Sequence, residues 1–175
     1  REGTNPAQVI SQLDRVGSPA TVASTGGRYF GFVVGGALPV AIAAQWLATA
    51  WDQNAGSWAL APGAAELESV AAQWMLEILD LPRDAAVGFV TGSTMGTFSA
   101  LACARSALLA RLNYDVKRRG LAGAPRLNIV VSDEIHPTNL STLGYLGFGL
   151  DDIQYCTTDE QGRIVPEQMP ELGPQ

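Results

Sequence analysis

The second half of the chain alternates between segments with the patterns of strands and of helices. Apolar runs predict strands over residues 87–91, 127–132 and 152–156. Stretches with helical periodicity lie between them and predict helices over residues 94–118 and 137–146. Strands that alternate with helices form parallel sheets joined by right-handed crossovers. The sequence therefore predicts an α/β domain built on a parallel sheet.

The first half of the chain contains no matching strands. A first helix is predicted to begin at Pro6, with Asn5 as its N-cap, and to end at Gly17. Apolar-periodic stretches predict two further helices, over residues 39–51 and 64–79. The segments between these helices are rich in glycine, serine and threonine, so we expect them to be mostly loop.

This change of pattern divides the chain into two parts. We expect a helical and loop segment over residues 1–84 and the first part of an α/β domain over residues 85–175. A parallel sheet of three strands is small. The hydrophobic content of 47% is high for such a chain and indicates apolar surfaces that need a cover. We therefore expect the sequence to be a portion of a longer protein, or one partner of a split protein.

The composition of the chain argues against nucleic acid, membrane and metal as binding partners. The net charge of −6 disfavours a nucleic-acid-binding surface. Neither a membrane span nor a signal peptide is recognisable, so no membrane partner is expected. The two cysteines lie far apart and there is one histidine, which predicts reduced thiols and no metal site. These features together predict a cytoplasmic protein.

The stretch FVTGSTMGTF, residues 89–98, has the pattern of a strand, a glycine turn and a helix start. The first N–H groups of a helix point outward and carry partial positive charge. Gly92 permits close approach of an anion, and Ser93 and Thr94 add hydroxyl donors, so the stretch predicts a phosphate site. It is neither a Walker A loop nor a G-x-G-x-x-G fingerprint. The simpler alternative is that Ser93 or Thr94 is an ordinary N-cap.

The same stretch also has the spacing G-x-T-x-G of a nucleophile elbow, with Thr94 at its centre. An α/β-hydrolase of this kind needs an acid and then a histidine downstream. Asp133 lies only three residues before the sole histidine, His136, which is too close for that arrangement. A Thr94 hydrolase is therefore the weaker alternative.

His136 follows the second predicted strand of the α/β part and starts the next helix. Ligands of parallel sheets gather beyond the carboxyl ends of the strands. Ser93, Thr94 and His136 lie at two successive strand ends, so they are expected to face one cavity. The alternative is an exposed histidine that only caps a helix.

Four stretches, in order and with matching spacing, resemble the group II pyridoxal-phosphate-dependent decarboxylases, the family of the aromatic-L-amino-acid and glutamate decarboxylases. They are YFGFVVGGALP, WALAPGAAELESVAAQWMLEILDLP, GFVTGSTMGTFSALACAR and SDEIHPTNLSTLGYLGFG. The resemblance runs from about Arg28 to the last residue and covers only the N-terminal portion of the family. It implies an incomplete large domain of the aspartate aminotransferase type (fold type I). An N-terminal helical segment that wraps around a dimer partner would precede it.

The resemblance also implies a cofactor and roles for particular residues. Ser93 and Thr94 would hold the phosphate of pyridoxal 5'-phosphate, and His136 would stack on its ring as a catalytic residue. Gly35 and Gly36 would lie near the substrate. The implied reaction is the decarboxylation of an L-amino acid by a carbon–carbon lyase of amino-acid and carboxylic acid metabolism, working as a homodimer. Desulfination or oxidative deamination on the same scaffold is an alternative.

The sequence departs from the family in one respect. The only lysine is Lys117, near the end of a predicted helix, and it does not match the family's Schiff-base lysine. That lysine and the aspartate that pairs with the ring nitrogen lie downstream of Gln175 in the family. We therefore expect the 175 residues alone to be inactive. A non-catalytic fragment or pseudo-enzyme that acts through partner binding is the alternative.

Overall fold

The computed structural model describes residues 3–170. The chain separates into two compact units, Arg1–Trp74 and Met75–Gln175. The boundary between the units falls within a long helix. The functional division predicted after residue 84 stays a prediction.

Among the described residues, three α-helices make up most of the regular structure of the first unit. They are α1 (Pro6–Gly17), α2 (Pro39–Trp51) and α3 (Pro62–Ile78), which continues into the second unit; a single 3-10 turn (Ser18–Ala20) follows α1. The predicted start of α1 is confirmed, because the Asn5 side chain accepts a hydrogen bond from the Ala7 amide at 2.9 Å. Pro39 begins α2 as predicted, and α3 starts two residues before the predicted position.

The second unit is built around a parallel pair of strands. Its elements are α4 (Ser93–Arg111), α5 (Val116–Arg119), β1 (Val130–Ser132), α6 (Pro137–Tyr145), a 3-10 turn (Leu150–Asp152), β2 (Gln154–Cys156) and a second 3-10 turn (Pro166–Gln168). In the parallel register Val131 lies opposite Tyr155. Because β1 and β2 pair in parallel and α6 lies between them in the chain, the predicted parallel strand–helix–strand unit is confirmed.

The strand predicted over residues 87–91 is wrong. The segment before α4 is not a strand, and residues 86–91 make no backbone hydrogen bond to any other residue in the described range 3–170. An apolar run with strand propensity becomes a strand only when a neighbouring backbone completes its ladder. The sheet among the described residues therefore has two strands where three were predicted.

The single long helix predicted over residues 94–118 is also wrong, because α4 ends at Arg111 and a separate helix, α5, begins at Val116. Asn113 adopts a left-handed conformation with φ of 55°. The amide of Tyr114 donates to the Leu109 carbonyl at 2.9 Å, and the Asn113 amide donates to the Ala110 carbonyl at 2.9 Å. These two bonds form a Schellman motif, which ends α4. The Asp115 side chain then caps α5.

The buried core of the second unit forms where α4 ends and where α6 packs against it. Leu109, Tyr114 and Val116 make one buried cluster. Arg105, one turn earlier in α4, donates a 2.6 Å hydrogen bond to the Leu146 carbonyl, just beyond α6. This contact satisfies a carbonyl at the end of α6 and holds the two helices together.

Candidate functional site

The first turn of α4 has no side-chain cap. Gly92, in an extended conformation, is the N-cap, so neither Ser93 nor Thr94 has the capping role of the simpler alternative. The Gly96 amide donates to the Gly92 carbonyl at 3.1 Å, which is the first bond of the helix. The amides of Ser93, Thr94 and Met95 therefore have no acceptor within the part of the chain that the structure describes.

The two hydroxyls of this turn are available as well. Ser93 and Thr94 are exposed, and their side chains make no hydrogen bond to any described residue. A Cβ built on Gly92 would meet no atom within 4 Å, so the approach to the turn is open. The helix start adds partial positive charge at the same place. Such an arrangement can accept an anion through both amide and hydroxyl donors.

His136 is the N-cap of α6 and is exposed. Its ring atom Nδ1 accepts a hydrogen bond from the Thr138 amide at 3.2 Å and lies 2.7 Å from the Thr138 hydroxyl. His136 therefore caps α6, and its role against a cofactor ring stays a prediction. Capping occupies only Nδ1, and Nε2 makes no hydrogen bond to the described residues, so a ligand can still use the other side of the ring.

The loop between β1 and α6 is tied to the end of β2. The Asp133 amide donates to the Cys156 carbonyl at 3.0 Å. The Asp133 carboxylate accepts a 2.7 Å hydrogen bond from the Thr158 hydroxyl, and the Glu134 amide donates to the Ser132 hydroxyl at 3.0 Å. These bonds fix the backbone that leads to the imidazole at the carboxyl end of the strand pair.

The hydrolase alternative finds no support in these contacts. A catalytic triad needs a carboxylate that accepts from Nδ1–H of the histidine. Here the Asp133 carboxylate accepts from Thr158, and Nδ1 of His136 is itself an acceptor. Among the described residues, no hydrogen bond joins Thr94 to His136, so the nucleophile-to-base contact is missing too.

The candidate residues fall in different units. Ser93, Thr94 and His136 all belong to the second unit, where α4 packs against α6. Their convergence on one ligand stays a prediction. Gly35 and Gly36 belong to the first unit, in the exposed loop before α2, and a Cβ on either would meet nothing within 4 Å. Their role beside a substrate also stays a prediction.

Lys117 lies on the exposed side of α5. It lines a cavity of about 440 Å³ whose other walls include Ser106, Asn113 and Tyr114. None of the candidate residues lines that cavity. Lys117 therefore faces a surface with no candidate site residue.

Three residues that matter for the site were missed from sequence. Thr138 contacts the imidazole, while Asp133 and Thr158 anchor the loop before it. The position of Thr138 could have been found, since a hydroxyl residue two places after an N-cap is within reach of the capping side chain. The Asp133–Thr158 contact joins residues 25 positions apart, and no local pattern announces it.

Over residues 3–170, no three side chains among His, Cys, Asp and Glu are grouped so that they could ligate a metal ion. Within the same range, no helix combines the length and the apolar character that crossing a bilayer requires.

The family of the chain follows from comparison with known proteins. The sequence model of the family described as "Pyridoxal-dependent decarboxylase conserved domain" matches residues 7–171. The chain belongs to this decarboxylase family. The predicted family is therefore confirmed, and so is pyridoxal phosphate as the cofactor of that family.

Curated relatives carry the same kind of name and are longer. The acidic amino acid decarboxylase GADL1 of Xenopus tropicalis is 24% identical over 171 residues, which is 97% of this chain and 32% of the relative. The protein of that name from Homo sapiens is 23% identical, with the same coverage of both chains. The chain thus spans about a third of the length of these relatives.

Solved structures agree on the fold. Mouse CSAD superposes with a TM-score of 0.83 at 24% identity, over 96% of this chain and 34% of that one. The glutamate decarboxylase domain of a Vibrio parahaemolyticus protein gives 0.84 at 21% identity, over 94% and 36%. Oryza sativa TDC, solved with PLP and tryptamine, gives 0.79 at 24% identity, over 96% and 37%. The predicted fold, a partial fold-type-I domain of the decarboxylase family, is confirmed.

Proposed function

We propose that this chain supplies the phosphate-holding and ring-stacking residues of a pyridoxal-phosphate-dependent amino-acid decarboxylase. The observation that carries the proposal is the uncapped first turn of α4, whose amides and hydroxyls have no acceptor among the residues that the structure describes. Family membership supports the class of reaction. When bound, pyridoxal phosphate supplies an electron sink for the loss of carbon dioxide from the α-carbon of an amino acid.

The phosphate would be held by the start of α4. The Ser93 and Thr94 hydroxyls and the amides of the first turn are donors, and a phosphate dianion is an acceptor. A hydrogen bond to a charged group contributes about 1.5–3 kcal/mol, and the helix start adds roughly 0.3–1 kcal/mol. The donors already point outward, so holding the anion requires no rearrangement of the helix.

The ring of the cofactor would lie against His136. A flat, exposed imidazole can stack on a flat ring, and paired aromatic groups contribute about 0.5–1.5 kcal/mol beyond their buried area. The hydrogen bonds of Asp133 and Thr138 fix the loop and the ring before a ligand arrives. Less side-chain freedom is therefore lost on binding.

Lys117 is not the lysine to which the cofactor would be attached. Its side chain is exposed on α5. The cavity that it lines contains none of the residues proposed to hold the phosphate or the ring. The 175 residues alone are accordingly proposed not to decarboxylate, and the attaching lysine would come from elsewhere in the complete enzyme.

The proposed assembly is a homodimer in the cytoplasm. None of the thirteen residues of α2 is buried, and Trp46 is 73% exposed. An apolar helix left open in this way is typical of a surface that another chain covers. Gly35 and Gly36 precede this helix and are the residues proposed to lie near the substrate. Cys103 and Cys156 are both free thiols, which suits a reducing compartment.

The experiment is a titration of the purified protein with pyridoxal phosphate, followed by absorbance and fluorescence. Replacing both Ser93 and Thr94 by Ala removes two donors, so the dissociation constant is expected to rise by about 10-fold to 100-fold. Ser99→Ala is the matched control, since Ser99 is an exposed hydroxyl residue further along α4.

Pyridoxal without the phosphate separates the two parts of the site. Its weaker binding should be the same in the wild type and in the S93A/T94A variant, and inorganic phosphate should compete only with the phosphorylated ligand. An S93A/T94A variant that binds pyridoxal phosphate as tightly as the wild type contradicts the proposed role of α4. A well-folded wild type with no affinity at all favours the non-catalytic alternative.

A further inference from the structure

The protonation of the His136 ring follows from one donor. The backbone N–H of Thr138 lies 3.2 Å from Nδ1, and an amide nitrogen can only donate. Nδ1 must therefore be the acceptor and carry no proton. A neutral imidazole has one proton on its two nitrogens, so the proton sits on Nε2.

Thr138 contributes a second donor to the same atom. Its hydroxyl oxygen lies 2.7 Å from Nδ1, and because that nitrogen is unprotonated the hydroxyl is the donor. Both donors come from the second residue of α6, directly after Pro137. The Thr138 carbonyl in turn accepts a 2.7 Å hydrogen bond from the fully buried hydroxyl of Thr142. The residue that directs the imidazole is thus anchored in the helix.

No competing group stabilises the other tautomer. Asp133, three residues earlier, could accept a proton from Nδ1–H if it faced the ring. Its two carboxylate oxygens instead accept from the hydroxyl and the amide of Thr158, at 2.7 and 3.4 Å. Within the described residues, the only partner of the imidazole is therefore Thr138.

We propose that Thr138 is a positioning residue that holds His136 in a single tautomer, with Nε2–H directed outward as a hydrogen-bond donor. The consequence for a cofactor rests on the proposed function, whereas the tautomer does not. A neutral ring held in this way stacks without bringing a second positive charge against a protonated pyridine. It offers its ligand a donor at Nε2 and no acceptor.

The test is nitrogen-15 NMR of the imidazole, recorded without any cofactor. The His136 signals are identified by their loss in H136Q. In the wild type we expect an unprotonated Nδ1 and a protonated Nε2. Thr138→Val keeps the shape of the side chain and removes the hydroxyl donor, so the share of the Nδ1–H form should rise by about threefold to tenfold.

Two further variants separate positioning from a general structural effect. Thr138→Ser keeps the hydroxyl and should restore the tautomer of the wild type. Ser141→Ala removes a hydroxyl on the same helix that donates to the Pro137 carbonyl and not to the ring, and it should change nothing. Circular dichroism checks that α6 is intact in each variant.

An Nδ1–H form in the wild type would overturn the proposal. T138V spectra identical to those of the wild type would overturn the part of it that gives the Thr138 hydroxyl a share in holding the tautomer, since T138V keeps the backbone donor. The same variants are then titrated with pyridoxal phosphate, where T138V should bind several-fold more weakly than S141A. Because the spectra need no cofactor, a failed titration of every variant counts against the proposed function and leaves the tautomer result standing.

Discussion

In the turns of the second unit, individual side chains stabilise the backbone by accepting hydrogen bonds from nearby amides. Asp159 shows this most clearly, because its carboxylate accepts from the Arg163 amide at 3.0 Å and from the Gln161 amide at 2.9 Å. The Arg163 amide and guanidinium, in that order, lower the pKa of the Asp159 carboxyl below its usual range. The turn that Asp159 closes joins Thr158 to Ile164, and Thr158 also anchors the loop before the imidazole.

The pH dependence of the stability of this turn follows from the direction in which the pKa of Asp159 is shifted. A carboxyl whose pKa is lowered by folding stabilises the fold above its unfolded pKa, and the effect is lost as the pH falls through the folded value. Asp159→Asn should therefore lower the urea midpoint at neutral pH, and its difference from the wild type should shrink on acidification.

Glu160 provides the control for the Asp159 experiment. Its carboxylate lies in the same turn and makes no hydrogen bond to any residue that the structure describes, so Glu160→Gln should leave the urea midpoint close to that of the wild type. A D159N difference that stays constant from neutral to acidic pH would show that the ionised carboxylate does not stabilise the turn.

Helices in this chain begin and end at short-range signals, and the end of α4 is the most informative case. The left-handed Asn113 lets the chain turn back so that Tyr114 packs in the cluster with Leu109. The Tyr114 hydroxyl donates to the Gly120 carbonyl at 3.0 Å, which closes the segment after α5. One residue with positive φ thus decides where one helix ends and a second can start.

Replacing Asn113 tests this stop. Alanine is strained in the left-handed region by about 1–2 kcal/mol, whereas glycine is not. We expect Asn113→Ala to lower the free energy of unfolding by about 1 kcal/mol and Asn113→Gly to leave it unchanged or raise it, as measured by chemical denaturation. Asn128→Ala, at an exposed asparagine without positive φ, is the control. Equal stability of the alanine and glycine variants at position 113 would contradict the argument.

At the level of the complete chain, apolar surface is exposed in both units. In the first unit it includes α2, where Val40 is 71% and Trp46 73% exposed, and the loop before it, where Phe32 is 93% exposed. In the second unit Phe89 is 53% exposed in the segment before α4. Exposure of this extent is unusual for a protein that works alone. It supports the proposed dimer and the proposal that the complete enzyme is larger than these residues.

A charge on α2 tests the proposed dimer. Trp46→Glu would place a carboxylate in the apolar contact, so the dimer dissociation constant should rise about tenfold or more in sedimentation velocity. The free energy of unfolding of the monomer should change by less than about 0.5 kcal/mol, since Trp46 is exposed. Gln45→Glu adds the same charge at a polar position of α2 and should have little effect. Unchanged association of W46E would exclude Trp46 from the interface.

Much of the fold could be read from local patterns. Asn5 and Pro6 indicate the start of α1, and Pro39 indicates the start of α2. These signals are readable from sequence because side-chain capping and the fixed φ of proline act within one turn of a helix. The family resemblance rested on longer stretches and was confirmed. The predicted helix start at residue 94 is one residue late, because α4 begins at Ser93 with Gly92 as its N-cap.

The errors concern features that depend on distant partners or on a single backbone angle. Residues 87–91 have the composition of a strand, but a strand also needs a second backbone beside it. The prediction of a helix over residues 94–118 did not foresee the left-handed conformation of Asn113, which is stabilised by hydrogen bonds from residues 113 and 114 back to α4. Helix and strand propensities, added over a short stretch of sequence, reveal neither a missing partner strand nor a single left-handed residue.

The sequence alone was enough to identify the family, the cofactor class and the starts of α1 and α2, because these depend on motifs and on interactions within a few residues. The folded structure was needed to establish which strands pair and where Asp133 directs its carboxylate. The second of these depends on Thr158, 25 positions from Asp133. These hydrogen bonds form only when segments distant in the sequence pack together, and local sequence patterns do not specify which segments will do so.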